Sequence, residues 1–103
     1  MVDTSPLSRA VDHFADRLRA APQSRLQRSG AGAALALARQ LSEWAQGIEE
    51  PGAEPREMPE AGMFAVADQI TVAGHDLAVL LRSDAEVVEA VRLVEEAQKK
   101  AGV

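Results

Sequence analysis

Apolar side chains in this chain repeat at intervals of three and four residues, and the repeat occurs in four separate segments. Such spacing places the apolar side chains on one face of an α-helix, because one helical turn takes about 3.6 residues. No segment alternates polar and apolar residues as a half-buried strand does, and no Asn-Gly or Asp-Gly pair marks a hairpin. The pattern therefore predicts an all-α fold.

The four segments predict a small four-helix bundle that forms a single domain over residues 1–103, a usual length for one domain. The helices are expected over about residues 6–20, 25–48, 60–81 and 84–100. Ser5 followed by Pro6 marks the first helix start, since proline is well tolerated in the first turn. Ser83 and Glu86 match a capping box at the start of the fourth helix.

Two signals in the sequence give different starts for the second helix. Ser24 and Gln27 match another capping box, which favours a start near residue 25. Gly30 and Gly32 oppose it, because glycine in a helix costs about 1 kcal/mol relative to alanine. A start near residue 31, after the glycines, is the alternative.

Residues 49–59 contain three prolines and four glutamates and show no helical pattern. We expect an extended, solvated connecting loop that can span the length of the bundle. The turn near residue 83 is short, so the third and fourth helices are expected to be antiparallel neighbours. The predicted core comprises Leu18, Leu37, Leu41, Ile70, Leu77, Val91 and Val94, with Val87 and Val88 also on the buried side of the fourth helix.

The third helix is apolar on two faces. Its main stripe contains Met63, Val66, Ile70, Leu77 and Leu81, whereas Ala65, Val72 and Val79 fall on nearly the opposite side at 100° per residue. Asp68 and His75 share that second face. A helix with two apolar faces is buried on both sides, at the centre of a fold or at an interface.

This second face is the basis of the main functional hypothesis, a small helical interaction protein that forms a homo-oligomer or docks on another helical protein. The predicted interface residues are Ala65, Asp68, Val72, His75 and Val79. A histidine buried at such an interface would make association depend on pH. Trp44, which flanks the Leu41 stripe of the second helix, is expected at the core or its rim.

The net charge of −5, from 11 basic and 16 acidic residues, opposes binding to nucleic acid or anionic lipid. DNA binding would need a local basic strip, for which Arg17, Arg19, Arg25 and Arg28 are the candidates. No apolar stretch is long enough to span a membrane, the amino terminus lacks a signal-peptide pattern, and cysteine is absent. These features predict a cytoplasmic protein, and the preference for arginine over lysine is typical of a GC-rich, bacterial coding sequence.

The alternative hypothesis is a small-ligand or metal-binding bundle with hydrolytic activity. Its candidate residues are His75, Asp76, Asp68 and His13. No spacing of the HExxH kind and no nucleophile or phosphate-loop motif accompanies them, so we predict no catalytic residue, no metal site and no cofactor. The sequence favours a protein that is not an enzyme.

Overall fold

A computed structural model describes residues 2–103, and this part of the chain contains four helices and no strand. Helix α1 spans Ser5–Ala20, α3 spans Val66–Ala78 and α4 spans Asp84–Ala101. Helix α2 runs through a first turn, Gln23–Arg25, a π-helical segment, Leu26–Gly30, and a long α-helical body, Ala31–Glu49. The predicted all-α, four-helix architecture is therefore confirmed.

Helix α2 begins before its glycines. Gly30 lies in the π-helical segment and Gly32 in the helical body, so the earlier of the two predicted starts is correct. The predicted capping box at Ser24 is wrong, because Pro22 occupies the N-cap position and no side chain caps the helix there. The π-helical segment directs Leu26 and Gly30 toward the core, where both are buried.

Helix α3 is shorter than the predicted range of 60–81 at both ends. Gly62 has a φ of +93°, a left-handed conformation that interrupts any helix beginning at residue 60. At the other end the Glu86 carboxylate accepts hydrogen bonds from the backbone N–H groups of Arg82 and Ser83, at 3.0 and 3.1 Å. Those donors are therefore engaged in the next helix cap.

The helices pack so that α1 and α2 each contact both α3 and α4. Pro6 and Asp84 line one surface groove while Ala20 and Gly102 line another, so α1 and α4 run parallel. Helix α3 runs antiparallel to α1, since Asp12 contacts His75 and Arg19 contacts Asp68. The predicted antiparallel direction of α3 and α4 is correct, but their predicted adjacency is wrong because they lie diagonally across the bundle.

This arrangement requires a long return connection from α2 to α3, and the proline-rich segment provides it. The Gln46 side chain holds the backbone of Arg56 through two hydrogen bonds of 2.8 and 2.9 Å. About two turns earlier along α2, Arg39 donates to the Met58 carbonyl at 2.9 Å. Gln69 of α3 then donates to the Pro59 carbonyl at 2.9 Å. The loop thus lies along α2 and continues to residue 65, beyond the predicted end at residue 59.

The core lies between the four helices. Six of the seven core residues predicted from the sequence are buried there. Leu18, Leu37, Leu41, Ile70, Leu77 and Val94 are buried, whereas Val91 is half-buried. Val88 is 69% exposed, so its predicted place on the buried side of α4 is wrong. It lies about 100° around the helix from Val87, outside the arc that packs inward. Trp44 is half-buried and packs against the core at its rim.

The predicted capping box at Ser83 is present and predicts a measurable contribution to stability. The Ser83 hydroxyl accepts the backbone N–H of Glu86 at 3.2 Å, and the Glu86 carboxylate accepts the Ser83 N–H. Removing this cap with Ser83→Ala is expected to lower the free energy of unfolding by about 1 kcal/mol. Urea denaturation measures the change. Ser24→Ala is the matched control, and a loss at Ser24 equal to that at Ser83 would contradict the cap assignment.

Candidate functional site

The five predicted interface residues lie on the outward side of α3. The opposite side packs against α1 and α2 through Val66, Ile70 and Leu77, which are all buried. Val72 is 57% exposed and Val79 is 83% exposed. Asp68 and His75 are exposed as well, and Ala65 is half-buried at the N-cap of the helix. The α3 outer face, defined as Ala65, Asp68, Val72, His75 and Val79, is thus open to solvent in the single chain.

The apolar members of the α3 outer face are evenly spaced. Ala65, Val72 and Val79 are seven residues apart, which corresponds to about 10 Å per step along a helix. Seven residues make almost two full turns, so the three side chains form a narrow line rather than a scattered set. A line of this kind is suited to contact with another helix.

Phe64 is a further exposed apolar side chain at the start of α3 and was not among the predicted interface residues. It is 75% exposed and lies directly before Ala65. The sequence did carry a signal for it, since Phe64 falls outside the stripe of Met63, Val66 and Ile70 that faces the core. At the other end of α3, a depression of about 630 Å³ lies beside Val79 and is also lined by Val2 and Leu81.

The two polar residues of the α3 outer face have partners within the same chain. Arg19 of α1 donates to the Asp68 carboxylate at 2.7 Å. The His75 Nε2 atom lies 2.9 Å from an Asp12 carboxylate oxygen. These two pairs join α1 to α3 on either side of Val72, and each is solvent-exposed, so each contributes at most about 1 kcal/mol. Their contribution to stability is small, but they place α1 at the border of the α3 outer face.

The residues proposed for a metal-binding or hydrolytic site do not converge. His75 pairs with Asp12, and Asp68 pairs with Arg19, so the two are engaged separately. Within residues 2–103 there is no group of three histidine, aspartate or glutamate side chains arranged to hold a metal ion. The structure therefore gives this alternative no ligand set on which a mechanism could be built.

Comparison with known protein families, curated proteins and solved structures finds no match to this chain. Between residues 2 and 103, none of the helices combines the length and apolar character that crossing a bilayer requires. Function is accordingly inferred from the geometry of the α3 outer face and of the other exposed surfaces.

Proposed function

We propose that this chain is a small helical interaction protein that forms a homodimer through the α3 outer face. The observation that carries the proposal is the exposure of Val72 and Val79 at a seven-residue interval, on a helix whose other side is already buried. Burial of apolar surface contributes about 25 cal/mol per Å². If a second copy covers this apolar line, burial of each contact stabilises the dimer by that amount per unit area.

The spacing of the apolar residues suits a two-fold symmetric contact between antiparallel α3 helices. Ala65 and Val79 are each seven residues from Val72. A two-fold axis at Val72 therefore brings Val79 of one copy against Ala65 of the other, a large side chain against a small one. Both ends of the helix would be covered by one symmetric contact.

A different helical protein is the second form of this proposal, because the same apolar line could pack against a foreign helix. The metal-binding or small-ligand bundle stays the alternative from a different functional class. That alternative would be without support if the protein is purified free of metal and its melting temperature does not change when zinc, manganese or magnesium is added. A cytoplasmic location, a bacterial source and a lack of nucleic-acid binding stay predictions.

The homodimer is tested by measuring mass in solution over a range of concentrations. Size-exclusion chromatography with light scattering is expected to give twice the chain mass of 11.0 kDa. Val72→Asp places two carboxylates at the two-fold axis, and we expect it to weaken the dimer at least about a hundredfold. Val88→Asp is the matched control, because Val88 is also an exposed valine but lies on α4.

Two results would overturn the homodimer. The first is a chain that stays monomeric at high micromolar concentration, with a melting temperature independent of concentration. The second is a dimer that Val88→Asp disrupts as strongly as Val72→Asp, since the contact would then not be confined to α3. Circular dichroism of each variant establishes that a loss of mass does not follow from unfolding.

A further inference from the structure

A second exposed apolar surface lies between the N-terminal halves of the parallel helices α1 and α4. Its floor is formed by Pro6 of α1 and by Val87, Val88 and Val91 of α4. The groove has a volume of about 540 Å³, and Val88 within it is 69% exposed. None of these residues belongs to the α3 outer face, so this α1–α4 groove is independent of the proposed dimer contact.

The border of the α1–α4 groove is negatively charged. Asp3, Asp84 and Glu95 line it, and Arg92 is the one cation among its described lining residues. Arg92 is hydrogen-bonded to both Glu89 and Glu96, so its charge is balanced by two neighbouring carboxylates.

Hydrogen bonds from Ser5 stabilise the negative charge of Asp3 on this border. Hydrogen bonding by the Ser5 hydroxyl, together with its backbone N–H at 2.9 Å, lowers the pKa of Asp3 below its ordinary value. Asp3 therefore keeps its charge at a lower pH than an unpartnered aspartate would.

We propose that the α1–α4 groove binds a basic amphipathic helix of another protein. The apolar side of that helix would cover Val88 and Val91, while its lysine or arginine side chains would contact the carboxylates on the border. Charge complementarity decides the chemistry of the partner, since an acidic helix would be repelled by the border and by the net charge of −5.

The spacing of the groove residues explains why the partner is a helix. Val88, Val91 and Glu95 lie three and four residues apart along α4, so one residue of the groove recurs at each helical turn. The parallel neighbour α1 forms the second wall. The partner helix, lying between α1 and α4, can match this periodicity along its length. Its side chains would pack between those of the two helices, as they do in ordinary helix packing.

The proposal is tested with two synthetic helical peptides of equal apolar content. One contains leucine, alanine and lysine, and in the other glutamate replaces every lysine. Isothermal titration calorimetry is expected to show micromolar binding of the lysine peptide that weakens with added salt, and binding of the glutamate peptide at least about tenfold weaker. Both measurements use the full chain.

Variants separate the groove from general attraction between opposite charges. Val88→Asn, which leaves the charge unchanged, is expected to weaken binding of the lysine peptide about tenfold. Val79→Asn, a substitution of the same kind on the α3 outer face, is expected to leave it unchanged. Glu95→Gln is expected to weaken binding and to reduce its dependence on salt, because one border charge is removed.

Three outcomes would overturn the proposal. Equal affinity for the two peptides would show that charge does not determine binding. Equal binding by Val88→Asn and the unaltered chain would show that the peptide does not bind in the groove. Absence of lysine-peptide binding at millimolar concentration would contradict the whole proposal. Amide chemical shifts provide the independent check, since the expected changes lie around Pro6 and along Asp84–Glu95 rather than on α3.

Discussion

Phe14→Ala is expected to lower the free energy of unfolding by about 3–5 kcal/mol. Phe14 lies on α1, where its side chain is 0% exposed and is the largest among the fully buried residues. The loss combines the transfer of an aromatic ring out of the core with a cavity that four rigid helices cannot close. Single domains have a total stability of about 5–15 kcal/mol, so this one side chain accounts for a large share.

Phe64→Ala is the matched control, because the second phenylalanine of the chain is 75% exposed. Both variants are compared by urea denaturation in a Val72→Asp background, so that association through α3 does not contribute to the measured stability. We expect Phe64→Ala to change the free energy of unfolding by no more than about 0.5 kcal/mol. Losses of similar size for the two variants would contradict the assignment of Phe14 to the core.

The core could be predicted from the sequence because the apolar repeat belongs to each helix separately. Leu41, Ile70 and Leu77 are buried on the faces that their spacing indicated. Val88 shows the limit of this approach, since its neighbour Val87 lies on the buried side and a shift of one position turns the side chain by about 100°. The exact edge of a buried arc depends on how closely the adjacent helix approaches, which sequence spacing does not contain.

The ends of α3 and the packing order of the helices differ from the prediction for two different reasons. The apolar stripe continues through Met63 to Leu81, yet Gly62 and the cap at Glu86 confine the helix to Val66–Ala78. The order of the helices is determined by the loop over residues 50–65, which α2 holds through Gln46 and Arg39. The loop contacts join residues 10 and 19 positions apart, whereas Gly62 and the Ser83–Glu86 cap act locally and do not interrupt the apolar stripe.

The α3 outer face was identified from sequence because the seven-residue interval is a property of one helix. Its borders were not, since the pairs Arg19–Asp68 and Asp12–His75 depend on α1 lying beside α3. The α1–α4 groove was missed for the same reason. Pro6 and Val91 are far apart in sequence, and only the parallel packing of their helices brings them to one surface.

Gly74→Ala is expected to lower the free energy of unfolding by about 2 kcal/mol, although alanine is the better helix former. A Cβ atom at Gly74 would lie 2.5 and 2.9 Å from the two methyl carbons of Val11 on α1, closer than such atoms approach. Overpacking of this kind costs about 1–3 kcal/mol, and here the cost is at the upper end because a β-branched side chain has little freedom to move. The helix-propensity gain of about 1 kcal/mol offsets part of it.

The same substitution at Gly32 is expected to change the free energy of unfolding in the opposite direction. Gly32 lies within α2, and beyond its chain neighbours and the nearby backbone of its own helix no atom lies within 4 Å of the position its Cβ would take. Gly32→Ala therefore keeps the propensity gain without the clash and is expected to raise the free energy of unfolding by about 0.5–1 kcal/mol. Thermal and urea denaturation of both variants in the same buffer gives the comparison directly.

A double-mutant cycle shows whether the clash with Val11 is the cause. Val11→Ala alone leaves a cavity in the core, since Val11 is fully buried, and Gly74→Ala alone overfills the same space. Combined, the added methyl group at residue 74 occupies part of the space that Val11 leaves. The double variant is therefore expected to be more stable than the sum of the two single losses predicts, with a coupling of about 1 kcal/mol or more. Additive losses, or a stabilising Gly74→Ala, would show that α1 and α3 do not meet at these two residues.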